Sequence, residues 1–234
     1  DKVLDCVVDM LSESQGAPFL INFDERSMAG LLRQAKMSGN EHLINLDNVH
    51  DYASVGCLEN TMVGNDRSET VNGAVYFVKA LELALNNGKD LIDYFDHSGN
   101  KVQQTRMAVP TGDPRQFKTF EAFMEAFEAQ MKYMIKEAVD IYNLYDEMRY
   151  KYIRTPYLSL MVKGCAERGL DVTQGGAELR YCTVHGITYA TCVDSLLAIK
   201  YLVYDKKLCT IEDLIDAMRN NWEGYELLQA RAKN

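Results

Sequence analysis

No stretch of this chain is long and apolar enough to span a bilayer. The most apolar run, Thr191 to Tyr204, is interrupted by Asp194 and Lys200, whereas a spanning helix needs about 20 consecutive apolar residues. No basic cluster stands out either. Against 34 acidic residues there are 25 basic ones, a formal charge of -9, and that balance argues against nucleic acid or an anionic membrane as the main partner. The six cysteines (Cys6, Cys57, Cys165, Cys182, Cys192 and Cys209) form no Cys-x-x-Cys pair, and none precedes a His at zinc-finger spacing. No dedicated metal or iron–sulfur site is expected from them. Scattered cysteines in a chain of this length fit a reducing cytoplasm better than a disulfide scaffold. The start, Asp1-Lys2-Val3-Leu4-Asp5, has neither a basic segment nor an apolar core, so no signal peptide is expected. It also lacks an initiating Met, which suggests a piece of something longer.

What is present is the balance of a soluble globular protein. The 234 residues are 47% hydrophobic and 25% charged, enough for one large domain or two small ones. The expectation is a single domain over residues 1–234. Phe19 to Phe23 reads as a short buried strand after Gly16 and Pro18. Met28, Leu31, Leu32 and Ala35 predict a helix over 26–38, stopped at Gly39. Residues 49–56 suit a strand or extended loop. Val78, Leu81 and Leu85 predict a helix from Val75 to Asn87. Residues 89–118 read as irregular, with turns at Ser98-Gly99-Asn100 and Pro110 to Pro114. Thr119 caps a long helix whose stripe Phe120, Phe123, Met124, Phe127, Met131, Met134, Ile135 is a core-facing seam continuing to about Tyr150. Gly175-Gly176 opens an irregular stretch carrying Arg180, Tyr181, His185 and Gly186. Val193 to Val203 is helical again, and Thr210 caps a last amphipathic helix ending near Asn220-Asn221. Helices alternating with short extended pieces indicate an α/β fold.

The segment Ser54-Val55-Gly56-Cys57-Leu58-Glu59-Asn60 carries the most chemistry. A thiol and a carboxylate stand two residues apart behind a glycine. In an extended segment their side chains point the same way, about 6.6 Å apart along the chain. A small molecule between sulfur and base could lose a hydrogen atom and a proton. On spacing alone, an ordinary core cysteine is the stronger reading, because free Cys is among the most buried residue types. Elsewhere, Arg180 with Tyr181 suits holding a substrate carboxylate, and a surface ion pair at Arg180 is equally open. His185 faces substrate or, as the favoured reading, bonds backbone in a loop. Cys182 and Cys192 read as small core residues, His42, His50 and His97 as surface, and Trp222 with Tyr225 as packing for the last helix.

Several segments, taken in order, resemble the glycyl radical enzyme family, also called the pyruvate formate-lyase family. Gly16-Ala17-Pro18-Phe19 through Asp24-Glu25 is similar to the strand ahead of its active site. Asp51 through Glu59 resembles its Gly-Cys-x-Glu loop, and Lys79 through Gly88 the helix that follows. Thr111-Gly112-Asp113-Pro114 with Thr119-Phe120-Glu121 fits the next turn and helix. Pro156 to Ser159, Gly169-Leu170-Asp171 and Gly175-Gly176-Ala177 fit the late barrel. Val193 to Lys200 and Asn221 to Tyr225 complete the match. Each piece is weak alone; their order makes the signal specific.

The resemblance implies part, about half, of a ten-stranded α/β barrel with surrounding helices, without the C-terminal radical domain. It implies Cys57 as a thiyl radical taking hydrogen from substrate, Glu59 as acid/base and Gly56 as the residue that lets the loop bend. It makes Arg180, Tyr181 and His185 candidate substrate contacts. The cofactor it implies is a protein-derived glycyl radical on a separate segment, with none bound directly by this chain. A partner activase would generate it using S-adenosylmethionine and an iron–sulfur cluster. Other implied partners are the missing N-terminal half-barrel, the C-terminal radical domain, a small-molecule substrate and a second copy in a homodimer. No Arg-Val-x-Gly-Tyr-like motif occurs here, so this chain alone should be inactive. Gly56 in place of a second cysteine argues against acetyl transfer from pyruvate. Asn60 stands where the family's dehydratases usually have Pro, which favours an arylacetate decarboxylase. The alternatives are a dehydratase or C–N/C–S lyase of diol, hydroxyproline or choline type, an X-succinate synthase, and a non-catalytic α/β scaffold.

Overall fold

The computed structural model describes residues 2–13, 22–56, 59–91, 94–95, 97–102 and 108–233, with the side chains of 67–72, 94, 101–102 and 181–182 set aside. Two compact units emerge, one of residues 1–70 and 146–183, the other of 71–145 and 184–234. Among the described residues no helix is long and apolar enough to cross a membrane.

In the first unit, α1 (Lys2–Ser12) buries no residue. Helix α2 (Asp24–Ser38) stops where expected: Gly39 takes a left-handed φ of 72° and its N–H closes on the last turn, the conformation glycine adopts at least cost. Its Leu31 and Ala35 pack with Ile44, Val49, Met62 and Leu179 into one apolar cluster. A 3-10 turn, Val49–Asp51, leads into β1 (Tyr52–Val55), which pairs antiparallel with β2 (Glu59–Met62). The predicted extended piece at 49–56 is therefore a strand of a hairpin. The predicted strand at 19–23 lies largely outside the described residues.

The rest of this unit is built on loops. Short helices α5 (Pro156–Ser159) and α6 (Cys165–Arg168) flank a small cluster of Val162, Cys165, Val172 and Ala177. Asp171 holds this region together. Its carboxylate accepts from Thr155 N (2.9 Å), Ser159 Oγ (2.8 Å), Thr173 N (2.9 Å) and Thr173 Oγ1 (2.7 Å). Burial pushes the Asp171 carboxyl up, but these donors outweigh it and hold the group well below the usual carboxylate range.

In the second unit, α3 (Phe77–Leu85), α7 (Tyr189–Ile199) and α8 (Ile211–Arg219) share a core with the N-terminal part of α4 (Phe120–Tyr152). The predicted seam faces inward: Phe123, Phe127 and Met131 are buried, and Ile135 departs from it at 44% exposure. Thr119 Oγ1 caps the helix by accepting from Ala122 N at 3.2 Å. Thr210 does the same for α8, in a reciprocal box with Asp213. Lys79 pairs with buried Asp90 and with Glu82. Residues 200–205 form a π-helical turn after α7, where the pattern predicted continuous helix. The short strands β4 (Tyr94–Phe95) and β5 (Lys101–Val102) pair inside the predicted irregular region. Helix α9 (Glu226–Lys233) follows Trp222, which packs on the core as expected.

Two strands are shared between the units. β3 (Asp66–Tyr76) and β6 (Leu179–Ile187) are hydrogen-bonded neighbours. The expectation of an irregular stretch after Gly175-Gly176 is corrected here: the alternation through Leu179, Tyr181, Thr183 and His185 forms strand once an edge is available to pair with.

Removing the Asp171 charge should loosen the first unit. A carboxyl whose pKa folding lowers adds stability above its unfolded value of 3.8 and loses it as the pH falls through the folded value. Asp171→Asn is expected to cost about 2–3 kcal/mol in urea unfolding at neutral pH, with the gap to wild type closing below the unfolded value. Superimposable urea curves at neutral pH would contradict the anchoring role.

Candidate functional site

The β1–β2 hairpin builds the site. Its register pairs Tyr52 with Met62, Ala53 with Thr61, Ser54 with Asn60 and Val55 with Glu59. Directly opposed residues share a face and successive residues alternate. Tyr52 and Met62 turn one face onto the apolar cluster of the first unit. Glu59 and the buried Thr61 therefore belong to the other face. The base of the hairpin is pinned at both ends. Tyr52 OH donates to Asp24 Oδ1 at 2.6 Å, tying β1 to α2. Past β2, Lys163 N donates to Gly64 O (2.8 Å) and Leu179 N to Asn65 O (2.9 Å).

The connection from Val55 to Glu59 carries Gly56 and, outside the described residues, Cys57 and Leu58. Gly56 adopts φ +65°, a left-handed conformation that disfavours any side chain. A Cβ at this position would stand 3.3 Å from Glu59 Oε2. The carboxylate thus lies close beside the glycine. The expectation that Cys57 and Glu59 share one face of an extended segment falls on Cys57, which lies outside the described residues. Val55 and Glu59 are antiparallel partners, so the backbone reverses between them.

The remaining candidates fall as follows. Arg180, on the part of β6 in the first unit, forms an ion pair with Asp146 of α4. The side chain of Tyr181 lies outside the described set, as does that of Cys182. His185 is half-buried on the part of β6 in the second unit. Gly56 and Glu59 are thus brought together within one unit. Cys192 is buried as expected, and His42, His50 and His97 are exposed. Among the described residues no group of three or more His, Cys, Asp or Glu is arranged to hold a metal ion.

One titratable group in this unit went unread in the sequence. Asp66, which opens β3, is only 7% exposed, and among the described residues neither of its carboxylate oxygens has a hydrogen-bond partner. Burial alone pushes its pKa from 3.8 up to about 7. It follows Gly64-Asn65, which reads as an exposed turn. The one available signal is an acid at the head of a Thr- and Val-bearing run.

Known proteins resemble this chain throughout. A model of the family described as "Pyruvate formate lyase-like" matches residues 1–234. Trans-4-hydroxy-L-proline dehydratase of Clostridioides difficile is 34% identical over 173 residues, 74% of this chain and 20% of its own length. Isethionate sulfite-lyase of Nitratidesulfovibrio vulgaris is 32% identical over 232 residues, 97% of this chain and 26% of its own length. The solved glycerol-bound B12-independent glycerol dehydratase of Clostridium butyricum superposes with a TM-score of 0.75 at 27% identity, over 90% of this chain and 24% of that one. The chain therefore spans about a quarter of the length of these proteins. The expected fold class, part of an α/β glycyl radical enzyme barrel, is borne out.

Two substitutions check the site's geometry. Gly56→Ala imposes a strained φ costing about 1–2 kcal/mol and crowds the Glu59 carboxylate, so its melting temperature should fall; an unchanged melt would contradict the turn. Asp66→Asn should stabilise the protein at pH 8. A raised pKa favours the unfolded state from the unfolded value of 3.8 up to the folded value near 7, so the gain should shrink as pH is lowered towards 4. A gain that is the same at both ends would show that Asp66 is not the titrating group.

Proposed function

Since the chain belongs to the pyruvate formate lyase-like family, we propose that it forms part of a glycyl radical lyase that eliminates water or another small leaving group from a polar organic substrate. The observation that carries the reading is the Glu59 carboxylate lying over Gly56, in the connection that holds Cys57. Relatives named as dehydratases and a sulfite-lyase support elimination over the decarboxylation that Asn60 suggested. The residues proposed to act are Cys57 and Glu59, with Gly56 shaping the loop. Arg180, Tyr181 and His185 are proposed substrate contacts, Arg180 with its guanidinium already paired to Asp146.

The glycyl radical implied for the family supplies one-electron oxidation of a thiol, and is proposed to reside on polypeptide outside these residues. The Glu59 carboxylate beside Gly56, the residue before Cys57 in the chain, supports that role. Cys57, as the thiyl, takes a hydrogen atom from a hydroxyl-bearing carbon: the S–H bond forms, the C–H bond breaks and the unpaired electron passes to carbon. Glu59 accepts the hydroxyl proton. The resulting ketyl expels the neighbouring group with its bonding pair, and Glu59 returns the proton to it. The product radical then recovers its hydrogen atom from the Cys57 thiol. Shielding from water protects the open-shell sulfur from side reactions. The 234 residues are proposed as one incomplete barrel domain of a cytoplasmic homodimeric enzyme. Its partners are the remainder of the barrel, the radical domain and an activase using S-adenosylmethionine and an iron–sulfur cluster.

The test is an anaerobic assay of the intact polypeptide with its activase on a vicinal diol, isethionate and an arylacetate. Elimination from one of the first two is expected. Cys57→Ala should abolish turnover, and Glu59→Gln should lower kcat by about 10²–10⁴. Turnover retained in Cys57→Ala ends the radical proposal; carbon dioxide release from the arylacetate alone restores the decarboxylase.

A further inference from the structure

Residues 152–161, in the first unit, are folded inside out. The polar residues of the stretch turn inward. Thr155 N and Ser159 Oγ donate to the Asp171 carboxylate, and Ser159 Oγ accepts from Val172 N at 2.9 Å. The apolar residues turn outward: Tyr152 is 73% exposed, Tyr157 77%, Leu160 80% and Met161 57%, and Ile153 and Leu158 are exposed with them. In a segment folded to face water the two sets would change places. The stretch has no acidic residue, and its one cation, Arg154, caps the end of α4 by donating to Tyr150 O and Ile153 O.

The outward set is rigidly presented. Asp171 holds Thr155 and Ser159, which bracket α5, and Thr173 Oγ1 donates to Ile153 O at 2.9 Å. Val162 and Cys165 follow directly into the small cluster of this unit. Single exposed apolar residues need no explanation, but a run of them on an anchored segment marks an interaction surface. The occupant follows from length. This chain covers 26% of the isethionate sulfite-lyase and 24% of the solved glycerol dehydratase, so most of such a protein lies outside these residues. The acidic balance of the chain disfavours an anionic lipid surface as the alternative.

We propose that Tyr157, Leu160 and Met161, with Tyr152 and Ile153, form the seat on which polypeptide of the same protein, outside these 234 residues, packs through an apolar surface of its own. The inference rests on reading the chain as part of a longer enzyme and adds the surface by which this part joins the rest.

The experiment uses the intact polypeptide before activation. Hydroxyl-radical footprinting with peptide mass spectrometry compares each side chain with the same side chain in the urea-unfolded polypeptide. Tyr157 and Met161 should be protected as strongly as Met62, which is buried in the first unit. Oxidation close to the unfolded rate overturns the seat. Next, p-benzoylphenylalanine is placed at position 160 and irradiated. The expected product migrates at single-chain mass on a denaturing gel and is joined to a peptide outside residues 1–234. A product of twice that mass assigns the face to a second copy, and a cross-link confined to residues 1–234 shows the chain closing the face itself; each overturns the proposal. Both readouts are independent of Cys57 and Glu59. Failure of the seat therefore leaves the radical chemistry standing, and loss of the radical chemistry leaves the seat standing.

Discussion

The hairpin of the first unit depends on a reversal of the backbone that begins at Gly56. Val55 and Glu59 are opposed across a hairpin, and the chain must turn between them in three residues. A left-handed φ at Gly56 makes that turn without the Cβ clash that other residues incur. The turn brings the Glu59 carboxylate back over the loop.

Such a turn needs a rigid mount, because an error of an ångström in a reacting pair is costly. The mount is built in the first unit from interactions of different kinds. Apolar packing of Tyr52 and Met62 with Leu31 and Ala35 fixes one face. The Tyr52–Asp24 bond ties the hairpin to α2, and backbone bonds to Gly64 and Asn65 fix the exit of β2. The Asp171 network stiffens the neighbouring loops of the same unit. The other face of the hairpin carries Ala53 opposite Thr61 and Val55 opposite Glu59.

Much of the scaffold was legible from residue order. The recurrence of Phe123, Phe127 and Met131 specified both the helix and its buried side, and Thr119 and Thr210 marked helix starts because a hydroxyl there satisfies a free N–H. What failed depended on partners distant in sequence. β6 reads as loop because glycines flank it and its strand character appears only when β3 is beside it. β3 itself carries no clean alternation. The loop glycine was legible at the site, as were the residues of the motif. The reversal was not, since Gly-Cys-Leu contains none of the Asn-Gly or Asp-Gly pairs that announce tight hairpins. Asp66 was invisible for a related reason: nothing local shows that a turn-adjacent acid will be buried without a donor.

The central proposal is that the sulfur of Cys57 and the carboxylate of Glu59 address the same substrate. An anaerobic crystal structure of the intact polypeptide tests it most directly. The account requires the Cys57 sulfur and the Glu59 carboxylate to line one enclosed cavity large enough for a small polar molecule. A sulfur open to bulk solvent, or separated from that carboxylate by packed hydrocarbon, would contradict it.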